Sequence, residues 1–464
     1  IAVLLRQQLY QLKTICQIHG DWNRSHIHSG VLLRTDLQTE ILTDFSTRTV
    51  ISMQTMEMKR ILYIFSIFMA AACAGIKDSD PYGESLHLLT VSAQYPEGYE
   101  GFDLEGSDAL VEDVNTGNRY AALTDASGSF AMTLPNGVYR VNVSGRSGSD
   151  VFNGAADKVV ISGEDMNLTL PLSYSRAGSI VIKELYCGGC KKLPQEGNYQ
   201  GDQYFILHNN DYNVQYLDSL CFGTLSPNNA TGSNPWVSKD PVTGESIFPD
   251  FLPVIQAVWQ FPGDGDDFPL QPGEDAVVCL RGAIDHTAQF PLSVNLNKPD
   301  YFVCYNLTYF WNTQYHPAPG DLISDDRIID VVIKTGMANA YTLSISSPTL
   351  VVWKSRGVSM QDFVNVQDNI SPVPGSSIDN VVKVPYEWVY DAVEVFDARS
   401  ANNSKRLAPS LDAGYVLQTD IYLGRSLMRH IDETASAAAG YEVLTDTNNS
   451  LNDFYETEKQ SLNE

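Results

Sequence analysis

The chain has 464 residues, with 30 Lys and Arg against 56 Asp and Glu, a formal net charge of −26. So acidic a surface repels phosphate backbones and anionic headgroups, which argues against nucleic acid as a partner and against peripheral electrostatic membrane binding. At this length and 43% hydrophobic residues the chain can build two or three domains, each with its own core.

In chain order, residues 1–57 precede a stretch that reads as an export signal. They are expected to be upstream sequence translated in frame, with Met53, Met56 and Met58 as candidate true starts, and they are set aside from fold reasoning. From Met58, the basic Lys59 and Arg60 lead into an uncharged run, Ile61 to Ala72, too short to span a bilayer as a helix. Residues 58–72 therefore read as a signal peptide. The small residues Ala70, Ala71 and Ala72 are followed directly by Cys73, an arrangement that resembles a bacterial lipobox. The resemblance implies that Cys73 is lipidated (palmitate among its acyl chains) and opens the mature protein. Each buried CH₂ contributes about 0.8 kcal/mol, so the lipid alone would hold the chain at a membrane. Lys77-Asp78-Ser79-Asp80 resembles the acidic export tag of Bacteroidetes surface lipoproteins, which implies the outer membrane and the cell surface. Beyond Cys73 the count is 23 basic against 51 acidic residues, a net charge of −28. Residues 73–84, with Pro81 and Gly83, read as a tether.

From Ser85 the pattern turns to short alternating apolar runs. His87–Val91, Ala109–Glu112, Arg119–Leu123, Ser129–Leu134, Val138–Val143, Lys158–Ile161 and Met166–Leu170 are each bounded by Gly, Asn, Asp or Pro. Such spacing predicts an antiparallel β-sandwich over 85–173. Asn115-Thr116-Gly117-Asn118 and Asp125-Ala126-Ser127-Gly128 supply turn residues that tolerate positive φ. The run from Val114 to Val141 resembles the carboxypeptidase regulatory-like, transthyretin-like sandwich, which implies a spacer or presentation module without chemistry of its own.

Ser173–Gly178 reads as a linker, and residues 179–464 as a larger β-rich domain. Strands are expected at Ser179–Tyr186, Gln203–His208, Val214–Phe222 and Ala276–Leu280. The last of these, entered through Gln271-Pro272-Gly273-Glu274, gives 179–282 a distant likeness to the immunoglobulin-type lamin-tail sandwich. The expected fold class is thus mostly β, a transthyretin-like sandwich followed by an immunoglobulin or lamin-tail-like domain. Six motifs in order, Ile182–Tyr186, Gly188–Cys190, Leu220–Gly223, Gly282–Thr287, Lys405–Tyr415 and Asp446–Phe454, are similar to those of a Bacteroidetes lipoprotein family whose main domain is catalogued as domain of unknown function 4876. The resemblance spans nearly all of 75–464 and implies location and architecture but no reaction.

Chemistry is sparsely signalled. No run fits a serine-hydrolase elbow, a zinc-protease helix, a P-loop or a dinucleotide fingerprint. Five cysteines follow Cys73, and Cys187-Gly188-Gly189-Cys190 lacks the second pair of a zinc site, so a structural disulfide or buried thiols are expected. Cys190 and Cys221 match the family motifs, and a bridge between them would close a loop of about 30 residues, worth on the order of 3 kcal/mol. Asp264, Asp266 and Asp267, with Glu274 nearby, put hard oxygen ligands on a Gly-containing turn, a candidate calcium site beside the plainer reading of an acidic surface turn. Asp285 could orient His286 as a general base. The expectation is the reverse: the 264–267 loop exposed, and His286 in a separate turn, out of reach of any titratable group distant in sequence. Trp236, Trp259, Trp311, Trp353 and Trp388 include candidates for a binding aromatic, notably in Tyr309-Phe310-Trp311. The function read from all this is non-enzymatic binding, of a nutrient such as a glycan or of a TonB-dependent transporter the protein serves. A hydrolase with an acidic site and an adhesin are the alternatives.

Overall fold

The computed structural model describes residues 85–463, apart from 100, 101, 103, 148 and 149. The leading 1–57 segment, the signal stretch, Cys73 and the tether lie outside the described residues.

Alternation builds the first domain. Leu86–Gln94 pairs with Ser129–Pro135 on one side and Met166–Pro171 on the other, a three-stranded sheet. Facing it is a five-stranded sheet in the order Arg119–Leu123, Asp108–Asp113, Gly137–Ser147, Asp150–Ile161, Ser173–Arg176. Because successive side chains point to opposite faces, Ala109, Val111, Tyr139, Val141 and Val143 from the second sheet meet Leu89, Val91, Phe130 and Leu134 from the first in one core. All seven strand segments expected between 87 and 170 lie within these strands. Ser173–Arg176 corrects the linker reading: it is an edge strand paired to Asp150–Asn153. Its residues, Ser-Tyr-Ser-Arg, carry no aliphatic side chain, so the pairing left no hydrophobic signal.

Among the described residues the second domain is built on one sheet of fourteen strands, beside three short two-stranded ones. Its main path runs Val416–Gln418, Val389–Asp397, Thr349–Trp353, Cys221–Leu225, Phe251–Gln260, Ile328–Lys334, Phe302–Cys304, Asp275–Cys279, Tyr204–Asn209, Ile180–Tyr186, Leu427–Arg429, Phe454–Glu456. Asn380–Pro385, paired with Ile370–Pro372, joins Phe251–Gln260 beside this path. The strands expected to resemble a lamin tail between 179 and 282 are thus part of a much larger sheet. It curls until its ends nearly meet, wrapping a core of Ile182, Leu185, Phe205, Leu207, Phe222, Trp259, Val278 and Phe302. The outward faces are covered too. Tyr204, Ile206, Val277 and Cys279 pack under Val294 and Leu296, while Cys221, Val254 and Trp353 pack under the helix Met360–Asn365.

Side chains close the gap where backbone pairing stops. The amide of Ile182 donates to Asp391 Oδ2 at 2.6 Å across the seam, and Arg429, 1% exposed, fills the space between. Its guanidinium donates to Ile182 O (2.8 Å), Asp391 Oδ2 (2.5 Å), Thr445 O (3.1 Å) and Asp453 Oδ2 (3.1 Å). Further along, Glu456 accepts from Thr419 N at 2.8 Å and from Arg425 at 3.0 Å. A second buried knot joins Lys405 Nζ to Glu394 Oε2 and to Gly414 O, each at 2.5 Å, with Asp412 accepting from Glu394 N and Ser450 N.

These same segments hold the sandwich against the larger domain. Tyr415 Oη donates to Glu112 Oε2 at 2.5 Å and accepts from Arg140 Nη1 at 2.8 Å. Asn449 Nδ2 reaches Ser144 Oγ at 2.5 Å, and Asn153 Nδ2 reaches Thr447 O at 2.6 Å. The motifs 405–415 and 446–454, which carried the family likeness, are therefore the clasp of the sheet and of the two domains.

Candidate functional site

The acidic turn does not assemble a cation site. Residues 264–267 are exposed, and Asp267 Oδ2 is taken by the amide of Asp264 at 2.7 Å. The turn is organised by Asp218, whose carboxylate accepts from the amides of Gly265, Asp267 and Phe268 at 2.9, 3.0 and 3.0 Å. Among the described residues no group of three His, Cys, Asp or Glu is placed to hold a metal, which corrects the calcium reading of Asp264, Asp266 and Asp267.

The Cys190–Cys221 bridge is likewise absent: all five described cysteines are free and buried. Cys190 Sγ faces Asp202 Oδ2 at 3.8 Å, whereas Cys221 packs among Val258, Val351 and Trp353 in the cluster under the helix. Burial pushes the thiols of Cys187 and Cys190 up to about 12.

His286 also departs from expectation. It lies in the 3₁₀ turn His286–Ala288, apart from the 264–267 loop, but it is 2% exposed and Nδ1 meets Tyr199 Oη at 2.6 Å. Asp285 does not orient it, because that carboxylate caps the turn through Thr287 N at 3.0 Å. Burial pulls the imidazole down to about 4, so it is neutral, and Nε2 has no partner. This is a packed histidine against Tyr199 and Phe290.

Polar groups converge elsewhere. A cavity of about 780 Å³ sits where strand 251–260 bulges, lined from one side by Thr224, Ser226 and Asn228, from another by Gln256, and across from these by Asn339, Thr342 and Ser344. The bulge comes from Gln256, whose φ of 69° is a left-handed conformation that side chains other than glycine seldom adopt. Its carbonyl accepts from Thr335 N at 3.0 Å, and its Oε1 is buried without a partner, as is Thr224 Oγ1. Arg281, which follows strand 275–279, lines the same cavity together with Gln200 and Tyr315. Tyr315 is 47% exposed, so the cavity reaches the surface beside it. Four residues earlier in the same loop Trp311 is 65% exposed, and its neighbour Asn312 is fixed to the lining through Asn339 O at 3.0 Å. The other four tryptophans expected as candidates are structural: Trp259, Trp353 and Trp388 are buried, and Trp236 packs on Phe251.

Residues 271–461 match a family model described as protein of unknown function, DUF4876. Over that segment the chain is similar to the DUF4876 family. The chain is similar to a crystal structure of a DUF4876 family protein from Bacteroides thetaiotaomicron, at 23% identity and a TM-score of 0.49, covering 80% of this chain and 94% of that one. It is also similar to a DUF3823 family protein from Parabacteroides merdae, at 15% identity and a TM-score of 0.16, over 39% of this chain and 83% of the other. Among curated proteins none matches the chain.

Arg281, Trp311, Tyr315, Asn339 and the 342–349 lining all fall within the DUF4876 segment, whereas Gln200, Thr224 and Gln256 come from strands and loops before it. Sequence reasoning found the aromatic run 309–311 but missed Arg281, Gln256 and the Asn339–Ser344 wall. They are single neutral or basic residues in separate segments, with no spacing that marks them.

Proposed function

We propose that the chain is a non-enzymatic binding protein, tethered to the outer-membrane surface through Cys73, whose cavity takes a polyhydroxylated ligand of the glycan type for hand-over to a TonB-dependent transporter. The observation that carries the reading is the cavity itself: a surface-connected space of about 780 Å³ lined by amides and hydroxyls, with Trp311 and Tyr315 exposed on one bordering loop. Volumes of roughly 300–1,000 Å³ with a few converging polar groups are usual for small-ligand sites. Amide and hydroxyl side chains both donate and accept, which suits sugar hydroxyls, and an aromatic face suits the apolar C–H face of a sugar ring. The buried Oε1 of Gln256 is an acceptor left open on the same wall.

The test is oligosaccharide binding by the chain from Cys73 onward, by array and then calorimetry. Trp311→Ala combined with Tyr315→Ala should weaken the best ligand about tenfold, from loss of aromatic contacts worth roughly 0.5–1.5 kcal/mol each. Unchanged affinity in the double variant, or failure of the wild type to bind any oligosaccharide, overturns the reading. Detergent-phase partitioning of wild type against Cys73→Ala tests the tether separately, and equal partitioning would remove it.

A further inference from the structure

Three arginines are buried in the described structure, Arg281, Arg406 and Arg429, at 4%, 3% and 1% exposure. Two are saturated. Arg429 sits among three carboxylates, with Asp391, Asp453 and Asp446 at 2.5, 3.1 and 3.4 Å. Arg406 spends its nitrogens on the carbonyls of Pro227, Asn228 and Thr231 at 2.7, 2.9 and 2.6 Å, with Ser404 besides. Arg281 has one bond only, Nη1 to Gln200 O at 3.1 Å. Its Nε is buried with no partner, and no described carboxylate lies within ion-pair distance of it.

No described group around it forms an ion pair with it. Asp202, whose field favours the charged form of Arg281, stays beyond ion-pair distance: Oδ2 accepts from Tyr186 and Ser293 at 3.1 and 2.5 Å, and the buried Oδ1 has no partner. The two nearby imidazoles, His286 and His316, are both held neutral, by burial first and by the charge of Arg281 itself. No Asp or Glu is among the cavity-lining residues. A guanidinium stays protonated, and taking one out of water without an anion costs several kcal/mol. The fold pairs or saturates its other two buried arginines directly but leaves this one, with only the distant field of Asp202, facing a polar cavity where a directly paired anion has room.

Resting on the glycan reading above, we infer that the ligand is an acidic sugar whose carboxylate pairs with Arg281 while its hydroxyls meet the surrounding amides. A planar carboxylate matches a guanidinium with parallel hydrogen bonds, which a neutral hydroxyl cannot do. The neutral remainder of the lining then reads the ring: Asn228, Gln256 and Asn339 for hydroxyls, Tyr315 at the mouth for a ring face. The strongly acidic surface elsewhere, at a formal −26 for the whole chain, leaves this one buried cation as the determinant that admits an anion.

The experiment uses the chain from Cys73 onward with oligomers of galacturonic, glucuronic and mannuronic acid, each beside its carboxyl-reduced neutral counterpart and a sulfated neutral oligosaccharide. Wild type should bind one of the uronates about 10- to 100-fold more tightly than its reduced form, the range a charge-assisted hydrogen-bond pair supplies. Arg281→Gln should bring the ratio of acid to reduced-form affinity down to about one, whatever the absolute affinity for the reduced form. Equal binding of acid and reduced forms by the wild type overturns the inference and leaves the glycan reading standing. Preference for the sulfated sugar alone also overturns it. If no sugar binds at all, the glycan reading itself falls. Should Arg281→Gln not fold, the acid-against-reduced comparison on the wild type decides alone.

Discussion

Replacing Arg429 by Met is the sharpest test of how the large sheet is closed. The substitution keeps an apolar stem but removes the guanidinium that lies over Phe454, and with it every bond Arg429 donates at the seam: to the carbonyls of Ile182 and Thr445 and to the carboxylates of Asp391, Asp446 and Asp453. Summing hydrogen bonds would overstate the loss, because charged bonds are worth about 1.5–3 kcal/mol singly and are not additive. The better guide is the penalty for stripping one partner from a buried ion pair, about 3–5 kcal/mol, most of it from the charge left behind. Here that charge can be neutralised. Burial already pushes Asp391 and Asp453 up to about 7, against the pull of Arg429. A carboxyl whose folded pKa is raised above its unfolded value of 3.8 holds its proton more tightly when folded. Its stabilisation is therefore complete at low pH and lost as pH rises through the folded pKa. Without Arg429 those carboxyls rise further, so the deficit of the variant should be on the order of 4 kcal/mol at pH 8. It should shrink by about 1.4 kcal/mol per unit for each carboxyl only over the interval above about 7 in which the variant has bound the proton and the native protein has not, and be smaller and level by pH 5.5. Urea titrations at both pH values measure it directly. A deficit below about 1 kcal/mol at pH 8, or one that does not change with pH, would refute the account of the seam.

Three further outcomes are expected. In histidine NMR titrations, His286 and His316 should stay neutral well below the usual midpoint of 6.5, since burial holds both at about 4. Stability is then lost as pH falls from 6.5 towards 4, where the unfolded chain takes up protons the fold refuses; a midpoint near 6.5 for either ring contradicts its placement. A thiol reagent should find the five described cysteines slow in the native chain and all reactive in denaturant. Adding reductant should leave the melting temperature unchanged, and a drop would reinstate a disulfide. Gly414→Ala sets a Cβ 2.7 Å from Leu451 Cβ and against Asn449 Oδ1, so it should cost about 1–3 kcal/mol by thermal melt, and a neutral result would mean that the 405–415 and 446–454 segments pack more loosely than described.

The sandwich was legible because its information is local. Alternation along Ser129–Leu134 and turn residues such as Gly117 and Gly128, both at positive φ, are read within a few positions of one another. The large sheet was not, for two reasons. Its strands are buried on both faces, so Thr349–Trp353 reads as an unbroken apolar run with no period to separate in from out. Its neighbours are also remote in sequence, as where Leu427 pairs with Leu185 and Gly223 with Val351. The cavity shares the second difficulty, since its wall is drawn from several segments that become neighbours only when the sheet curls. In Tyr309-Phe310-Trp311 the aromatic signal was plain, yet only the fold decides that Phe310 is fully buried and Trp311 exposed.

The clasp formed by residues 405–454 bears on the order in which the chain can be assembled. During synthesis the sandwich emerges well before its docking partners: Glu112 and Tyr415 are 303 positions apart, and Ser144 and Asn449 are 305 apart. Until those partners arrive, Glu112, Asn142, Ser144 and Asn153 form a polar patch that water must satisfy, on a domain whose own core is already complete. Contacts so far apart in sequence form late, because the intervening chain must be gathered first. A truncation between the end of the sandwich and Tyr415 would release a folded sandwich joined to an open sheet with unpaired edges, the kind of species prone to aggregate.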